Sequence, residues 1–220
     1  MPHVMLVSGP ENDRSFEPRL EENLGILYLE ASLEKAGYDC SIIDGLAYNL
    51  NYEEILKEIL TCNPSLFLGF SIFSHELNNI INMIKDLRKK DFTQHIIIGG
   101  MWASHKYREI LEEVKEVDSI CVGEGEELVA ELAYALDAGM KLCHIEGLAT
   151  RNEDGTINFI PRKFRDNIDS FSVPDRRGYY FDLIKNKKAI SLLFTRGCHE
   201  KCTFCSIASY IKLCGGPRWR

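Results

Sequence analysis

The chain has 220 residues and a hydrophobic fraction of 45%, enough for a real core in one large or two small domains. Its 33 Asp and Glu against 26 Lys and Arg leave a formal charge of −7, which argues against general binding to nucleic acid or to an anionic membrane surface. No apolar run is long enough to span a bilayer, and Met1-Pro2-His3-Val4-Met5 lacks the charged start of a signal peptide, so the eight cysteines point to a reducing, cytoplasmic setting and to metal or redox chemistry rather than disulfides.

Strand and helix signals alternate from residue 1 to about 143. His3 to Val7 reads as a first strand, followed by a polar loop from Ser8 with Gly9-Pro10 as a breaker. Leu24, Leu27, Tyr28 and Ala31 recur at helical spacing in a first helix from about Asn23 to Ala36, which Gly37 stops. Cys40 to Ile43 is a second strand. Asn51 is a suitable N-cap for a second helix with Ile55, Leu56, Ile59 and Leu60 on one face. Leu66 to Ile72 is almost wholly apolar, as a strand covered on both faces should be. A third helix over about Glu76 to Arg88, a fourth strand at His95 to Ile98 and a fourth helix over about His105 to Val114 follow. A fifth strand at Ser119 to Val122 and a fifth helix ending near Asp137 complete the series. Five such units in succession predict an α/β fold, a flavodoxin-like or Rossmann-like five-stranded parallel sheet with helices on both sides. Its ligand crevice would lie at the carboxyl ends of the strands, in the loops Ser8 to Asp13, Ser71 to His75, Gly99 to Ser104 and Gly123 to Glu126. Glycine there permits close backbone approach and serine offers hydrogen bonds. The first loop carries no Gly-x-Gly-x-x-Gly and the chain no phosphate-binding Walker sequence.

Residues 144 to 188 change character. Asn152-Glu153-Asp154-Gly155 between Glu146 to Thr150 and Thr156 to Ile160 is a β-hairpin signal, and Pro161, a charged run and Pro174-Asp175 read as a loosely packed linker. Ala189 to Phe194 then reads as a short buried strand. It delivers Thr195-Arg196-Gly197-Cys198-His199-Glu200-Lys201-Cys202-Thr203-Phe204-Cys205 onto a loop at its carboxyl end. Three soft thiolates spaced Cys-x3-Cys-x2-Cys suit iron–sulfur or zinc chemistry, and Gly197 allows the bend that lets them converge. A zinc knuckle using Cys198, Cys202, Cys205 and Cys214 is the competing reading, although only one Cys-x2-Cys pair is present. Cys40, Cys62, Cys121 and Cys143 read as small buried thiols.

The cysteine spacing, the preceding Arg196-Gly197 and the aromatic Phe204 resemble the signature of radical S-adenosylmethionine (SAM) enzymes. Upstream, Leu24-Gly25-Ile26-Leu27-Tyr28-Leu29, Ile97-Ile98-Gly99-Gly100 and Val122-Gly123-Glu124-Gly125-Glu126 resemble, in order and spacing, the cobalamin-binding domain that precedes the barrel in many such enzymes. The resemblance implies a cobalamin-type domain at 1–143, a hairpin and linker at 144–188 and the start of a radical SAM (β/α) barrel at 189–220. It implies a 4Fe-4S cluster on Cys198, Cys202 and Cys205, Phe204 against the adenine of SAM, and cobalamin held by Ser71, Ser74, Gly99, Gly100, Gly123, Glu124 and Gly125. The first loop has no histidine where some cobalamin domains place a cobalt ligand. His75 and His105 lie near the crevice, but surface or helix-terminal roles are the commoner use of a lone histidine. The later barrel motifs have no counterpart, so the expectation is a truncated barrel: either the chain is a fragment, or a second polypeptide supplies the rest of the barrel. The two further readings are a non-catalytic corrinoid-binding protein and a zinc-stabilised interaction protein.

Overall fold

The computed structural model describes residues 1–9, 23–73, 76–176, 185, 191–216 and 219–220. Five strands, β1 (His3–Ser8), β2 (Asp39–Asp44), β3 (Phe67–Ser71), β4 (His95–Gly99) and β5 (Ser119–Cys121), run parallel, with the predicted helices between them. The helices are α1 (Leu24–Lys35), α2 (Tyr52–Cys62), α3 (Leu77–Lys89), α4 (Met101–Glu113) and α5 (Glu126–Asp137). Alternate residues of each strand serve opposite cores. Met5, Val7, Leu68, Phe70, Ile96 and Ile98 pack against α2, α3 and α4, whereas Val4, Leu6, Phe67 and Ile97 pack against α1 and α5. Asn51 caps α2 as expected: its side chain accepts from the Glu54 N–H at 3.0 Å while Glu54 accepts from the Asn51 N–H at 2.8 Å.

The spatial order β2-β1-β3-β4-β5 has a reversal at β1. The chain leaves β1 for one edge of the sheet, then returns to β1's other side to lay down β3. Parallel sheets part their connecting loops at such a point and bind ligands outside the carboxyl ends of the strands.

Two segments depart from their sequence-based reading. The predicted hairpin forms as β6 (Leu148–Arg151) and β7 (Ile157–Phe159), but it joins the sheet: β6 pairs antiparallel with β5, which makes seven strands among the described residues rather than the predicted five. The cause is the exposed edge that β5 would otherwise present. Arg151 fastens the hairpin to α4. Its Nη2 donates to the carbonyls of Leu111 at 2.6 Å and Val114 at 3.1 Å, the acceptors a helix C-terminus leaves open. Phe159 lies 4.8 Å from the ring of Tyr107 on the same helix. In contrast, Ser191 to Phe194 pairs with no strand among the described residues, and Leu192 and Phe194 are 65% and 81% exposed. An apolar run becomes a buried strand only beside a neighbour that takes its hydrogen bonds. Ala189 and Ile190 lie outside the described residues.

Replacing Arg151 with Met should lower the unfolding free energy by about 2–3 kcal/mol, because it strips charged donors from buried carbonyls; urea unfolding measures this. On α1, burial pushes the Glu30 carboxyl up to about 7, with Glu34 and Asp175 adding to the shift. A carboxyl raised in the folded state holds its proton longer there, so stability falls as pH rises from about 4.5 to 7. Glu30→Gln should therefore stabilise the protein at pH 8, by about 1 kcal/mol after allowance for solvent screening, and leave it unchanged at pH 4; thermal melts at the two pH values check this.

Candidate functional site

On the face of the sheet that meets α1 and α5, the residues nearest the carboxyl ends of β3 and β4 include Gly69 and Gly99 rather than large side chains. A Cβ at Gly69 would already come within 2.9 Å of Leu6 Cδ2. With no side chains there, a crevice of about 380 Å³ opens beside the reversal point of the sheet. Leu24, Gly25 and Tyr28 of α1 form one wall, and Gly123 to Glu126 after β5 form another. Leu193, Arg196 and Tyr210 close it from the cysteine-bearing segment.

Of the residues singled out from the sequence, Ser71, Gly99, Gly100, Gly123, Glu124 and Gly125 all line this one crevice. Ser74 and His75 lie outside the described residues, as do positions 10–13 of the first loop. The expected loop Gly99 to Ser104 is shorter than predicted. α4 begins at Met101, not near His105, because Gly100 caps it and the Ser104 N–H already closes a helical turn onto the Gly100 carbonyl at 3.0 Å. Gly100 sits at φ +110°, and a Cβ there would come within 2.6 Å of the Ile72 carbonyl oxygen, so this turn admits only glycine. The Ser104 hydroxyl donates to the Gly100 carbonyl at 2.9 Å and accepts from the Gly123 N–H at 3.1 Å. It thereby stitches the two glycine loops into one rim. His105, by contrast, faces the edge of Tyr210 with ring centres 6.1 Å apart.

The thiols near the crevice are not thiolates. Burial, then the nearby Glu126, pushes Cys121 up to about 12; burial, then Glu124, pushes Cys214 up to about 11. Cys121 thus presents an apolar S–H to the crevice. Cys214, at the end of α6 (Ser206–Cys214), packs with Phe164 and Ile211 rather than with the cysteine loop.

That loop turns at Gly197, φ +88°. Cys198 and Cys205 are half-buried and Cys202 is exposed; the Cys205 N–H meets the Cys202 carbonyl at 3.3 Å. Phe204 is 91% exposed and borders a shallow groove with Cys202 and Cys205. All three thiols are free, and among the described residues no three His, Cys, Asp or Glu side chains converge tightly enough to hold a metal ion.

Sequence reasoning missed what joins the loop to the crevice. Arg196 Nη1 meets Glu124 Oε1 at 3.0 Å and its Nη2 meets Glu126 Oε1 at 2.5 Å. Arg220 also pairs with Glu124. Burial works against the charge on Arg196, but Glu126 and Glu124 outweigh it and hold its pKa above the ordinary value. The available signal was the acidic doublet Glu124-Gly125-Glu126, which needs a cation once it is buried.

A flavodoxin-like strand order with a glycine-rimmed crevice at its reversal point defines an α/β small-molecule-binding domain. The chain belongs to the B12 binding domain family, whose profile matches residues 19–133. It is 27% identical over 202 residues to the anaerobic magnesium-protoporphyrin IX monomethyl ester cyclase of Synechocystis sp., covering 90% of this chain and 39% of that one. It is 28% identical over 204 residues to an uncharacterized methyltransferase of Pyrococcus horikoshii, covering 90% and 42%. The chain therefore spans about two fifths of the length of these curated relatives. Among solved structures, it superposes on the cobalamin-dependent S-adenosylmethionine radical enzyme OxsB, with aqua-cobalamin and S-adenosylmethionine bound, at a TM-score of 0.77 and 23% identity, over 93% of this chain and 28% of that one. The radical S-adenosylmethionine methyltransferase TsrM from Kitasatospora setae superposes at 0.71 and 17% identity, over 94% and 41%. The fold is thus that of the B12-binding domain, and it is shared with the corresponding parts of OxsB and TsrM.

Gly100→Ala should destabilise the protein by more than about 1 kcal/mol, since Ala is strained at a positive φ and its methyl meets backbone. Denaturant unfolding checks this, with Gly139→Ala (φ +64°, open space around it) as the milder comparison.

Proposed function

We propose that this chain is the cobalamin- and cluster-bearing part of a radical SAM enzyme, with cobalamin in the glycine-rimmed crevice and a 4Fe-4S cluster on Cys198, Cys202 and Cys205. The observation that supports this is adjacency. The crevice of a B12-family fold is walled on one side by Leu193, Arg196 and Tyr210, which flank the three cysteines in sequence.

The crevice suits a large, flat, mostly apolar ring with polar edges. Gly99, Gly100, Gly123 and Gly125 let such a ring lie against backbone, while Ser71 offers a hydroxyl and Glu124 a carboxylate at the rim. Leu24, Leu29 and Val129 shed water from its faces. The protonated Cys121 supplies no thiolate to compete for cobalt. When bound, the cluster would supply the electron that cleaves SAM, and cobalamin would carry a methyl group to an unreactive carbon. Phe204 stands ready to cover the adenine of SAM once the exposed groove beside Cys202 and Cys205 is enclosed. That enclosure falls to further polypeptide completing the barrel. In this reading residues 1–143 form the cobalamin domain, 144–188 its hairpin and connection, and 189–220 the opening of the barrel.

The absence of a gathered thiol set among the described residues favours one second reading, a corrinoid-binding protein without cluster chemistry. One set of variants separates the two. Titrating purified protein with aquacobalamin and following the visible spectrum should give one equivalent bound. Gly99→Val, which puts a branched side chain at the crevice floor, should weaken binding at least roughly tenfold. The triple variant Cys198→Ala, Cys202→Ala, Cys205→Ala should bind cobalamin as the wild type does. After anaerobic reconstitution with iron and sulfide, only the wild type should show the broad thiolate-to-iron absorbance that bleaches with dithionite. Cobalamin uptake with no such absorbance in either protein would leave the corrinoid-binding reading; a colourless, zinc-loaded protein that ignores aquacobalamin would overturn both.

A further inference from the structure

We infer that Arg196 is a positioning residue that locks the wall of the crevice to the cysteine loop, so that filling the crevice restrains Cys198, Cys202 and Cys205. Four parts of the chain converge on this one guanidinium. Glu124 from the β5–α5 connection and Glu126, the first residue of α5, take its two nitrogens separately, at 3.0 and 2.5 Å. The ring of Tyr28 on α1 lies 5.0 Å from its carbon, and the ring of Phe171, beyond the hairpin, lies 4.6 Å away. A planar fork between two carboxylates and two aromatic faces is a site for arginine, which a lysine ammonium cannot fill in the same way.

The backbone carrying that side chain is also held. The Arg196 N–H meets the Arg220 carbonyl at 2.8 Å and the Arg220 N–H meets the Arg196 carbonyl at 3.1 Å; Gly197 bridges Trp219. Cys198 therefore begins its loop one residue after a paired segment. The lock depends on Glu126 more than on Glu124. Glu124 keeps Arg220 if Arg196 is lost, but among the described residues Arg196 is the only cation paired with Glu126, whose side chain is 7% exposed. A carboxylate so buried does not tolerate the loss of its partner. Without Arg196, the first turn of α5 and the cysteine loop both lose their anchor.

Coupling of this kind is reciprocal: whatever steadies Gly123 to Glu126 from inside the crevice steadies the cysteines, and the reverse. The ligand in this argument is the cobalamin of the proposed function; the lock itself exists without it.

The experiment is a double-mutant cycle read by iodoacetamide alkylation of the reduced, metal-free chain. Mass spectrometry follows Cys198, Cys202 and Cys205, with the exposed Cys62 on α2 as internal reference. Without ligand, Arg196→Gln and Glu126→Gln should each speed alkylation of Cys198 by roughly tenfold, and the double variant should be no faster than either, at an unchanged Cys62 rate. Arg196→Lys should fall between wild type and Arg196→Gln. With aquacobalamin added, Cys198 of the wild type should slow further while the variants, shown by their spectra to have bound it, should not slow. Single variants that alkylate like wild type, effects that simply add, or a parallel rise at Cys62 would overturn the lock. If the wild type fails to bind aquacobalamin at all, the proposed function falls, and the ligand-free cycle still decides the lock.

Discussion

Where a parallel sheet meets its covering helices, side chains from the strand ends normally fill the last layer of the core. In this chain that layer is left open at Gly69 and Gly99, and the rest of the upper surface is arranged around the gap. Gly100 holds a conformation that no side chain tolerates, because Ile72 occupies the space a Cβ would need. Ser104 then ties that turn to Gly123, so two loops that could move separately act as one rim. The open layer sacrifices apolar burial that a Val or Ile pair would have contributed, on the order of 1.5–3 kcal/mol for each side chain. The lower sheet, with Phe67, Leu68 and Ile96 fully buried, carries the stability instead.

The same rim carries charge. Glu124 and Glu126 would be costly this close to an apolar crevice without cations, and Arg196 and Arg220 meet them. The cysteine loop is therefore held to the B12-family fold by an ionic and aromatic contact rather than by an extended apolar interface. Such contacts fix orientation more than they add stability. α6 adds a smaller apolar seat, with Tyr210 against Phe164 and His105. The hairpin serves the opposite edge: β6 closes β5, and Arg151 closes α4.

Much of the fold was legible because its signals are local. Apolar runs such as Phe67 to Ser71, the capping pair Asn51 and Glu54, and the stop at Gly139 depend on residues close in sequence. The start of α4 was misplaced because Gly99-Gly100 reads as a longer loop, whereas Ser104 bonding back to Gly100 begins the helix at once. The hairpin itself was legible in Asn152 to Gly155; its place in the sheet was not, because that depends on the bare edge of β5. The glycine loops could be gathered into one crevice from strand order alone. Arg196 could not be assigned to it, since its partners lie 72 and 70 positions away in sequence and only the folded chain brings them together.

The gap beside Gly69 and Gly99 is where a corrinoid ring is proposed to rest. Hydrogen–deuterium exchange of the purified chain, with and without aquacobalamin, tests this placement most directly because it maps where the ligand rests. A corrinoid ring in this gap slows exchange in peptides spanning residues 24–29, 97–104 and 121–126 and leaves the lower ends of the strands unaffected. Protection confined to other surfaces, or no protection at saturating aquacobalamin, would contradict it.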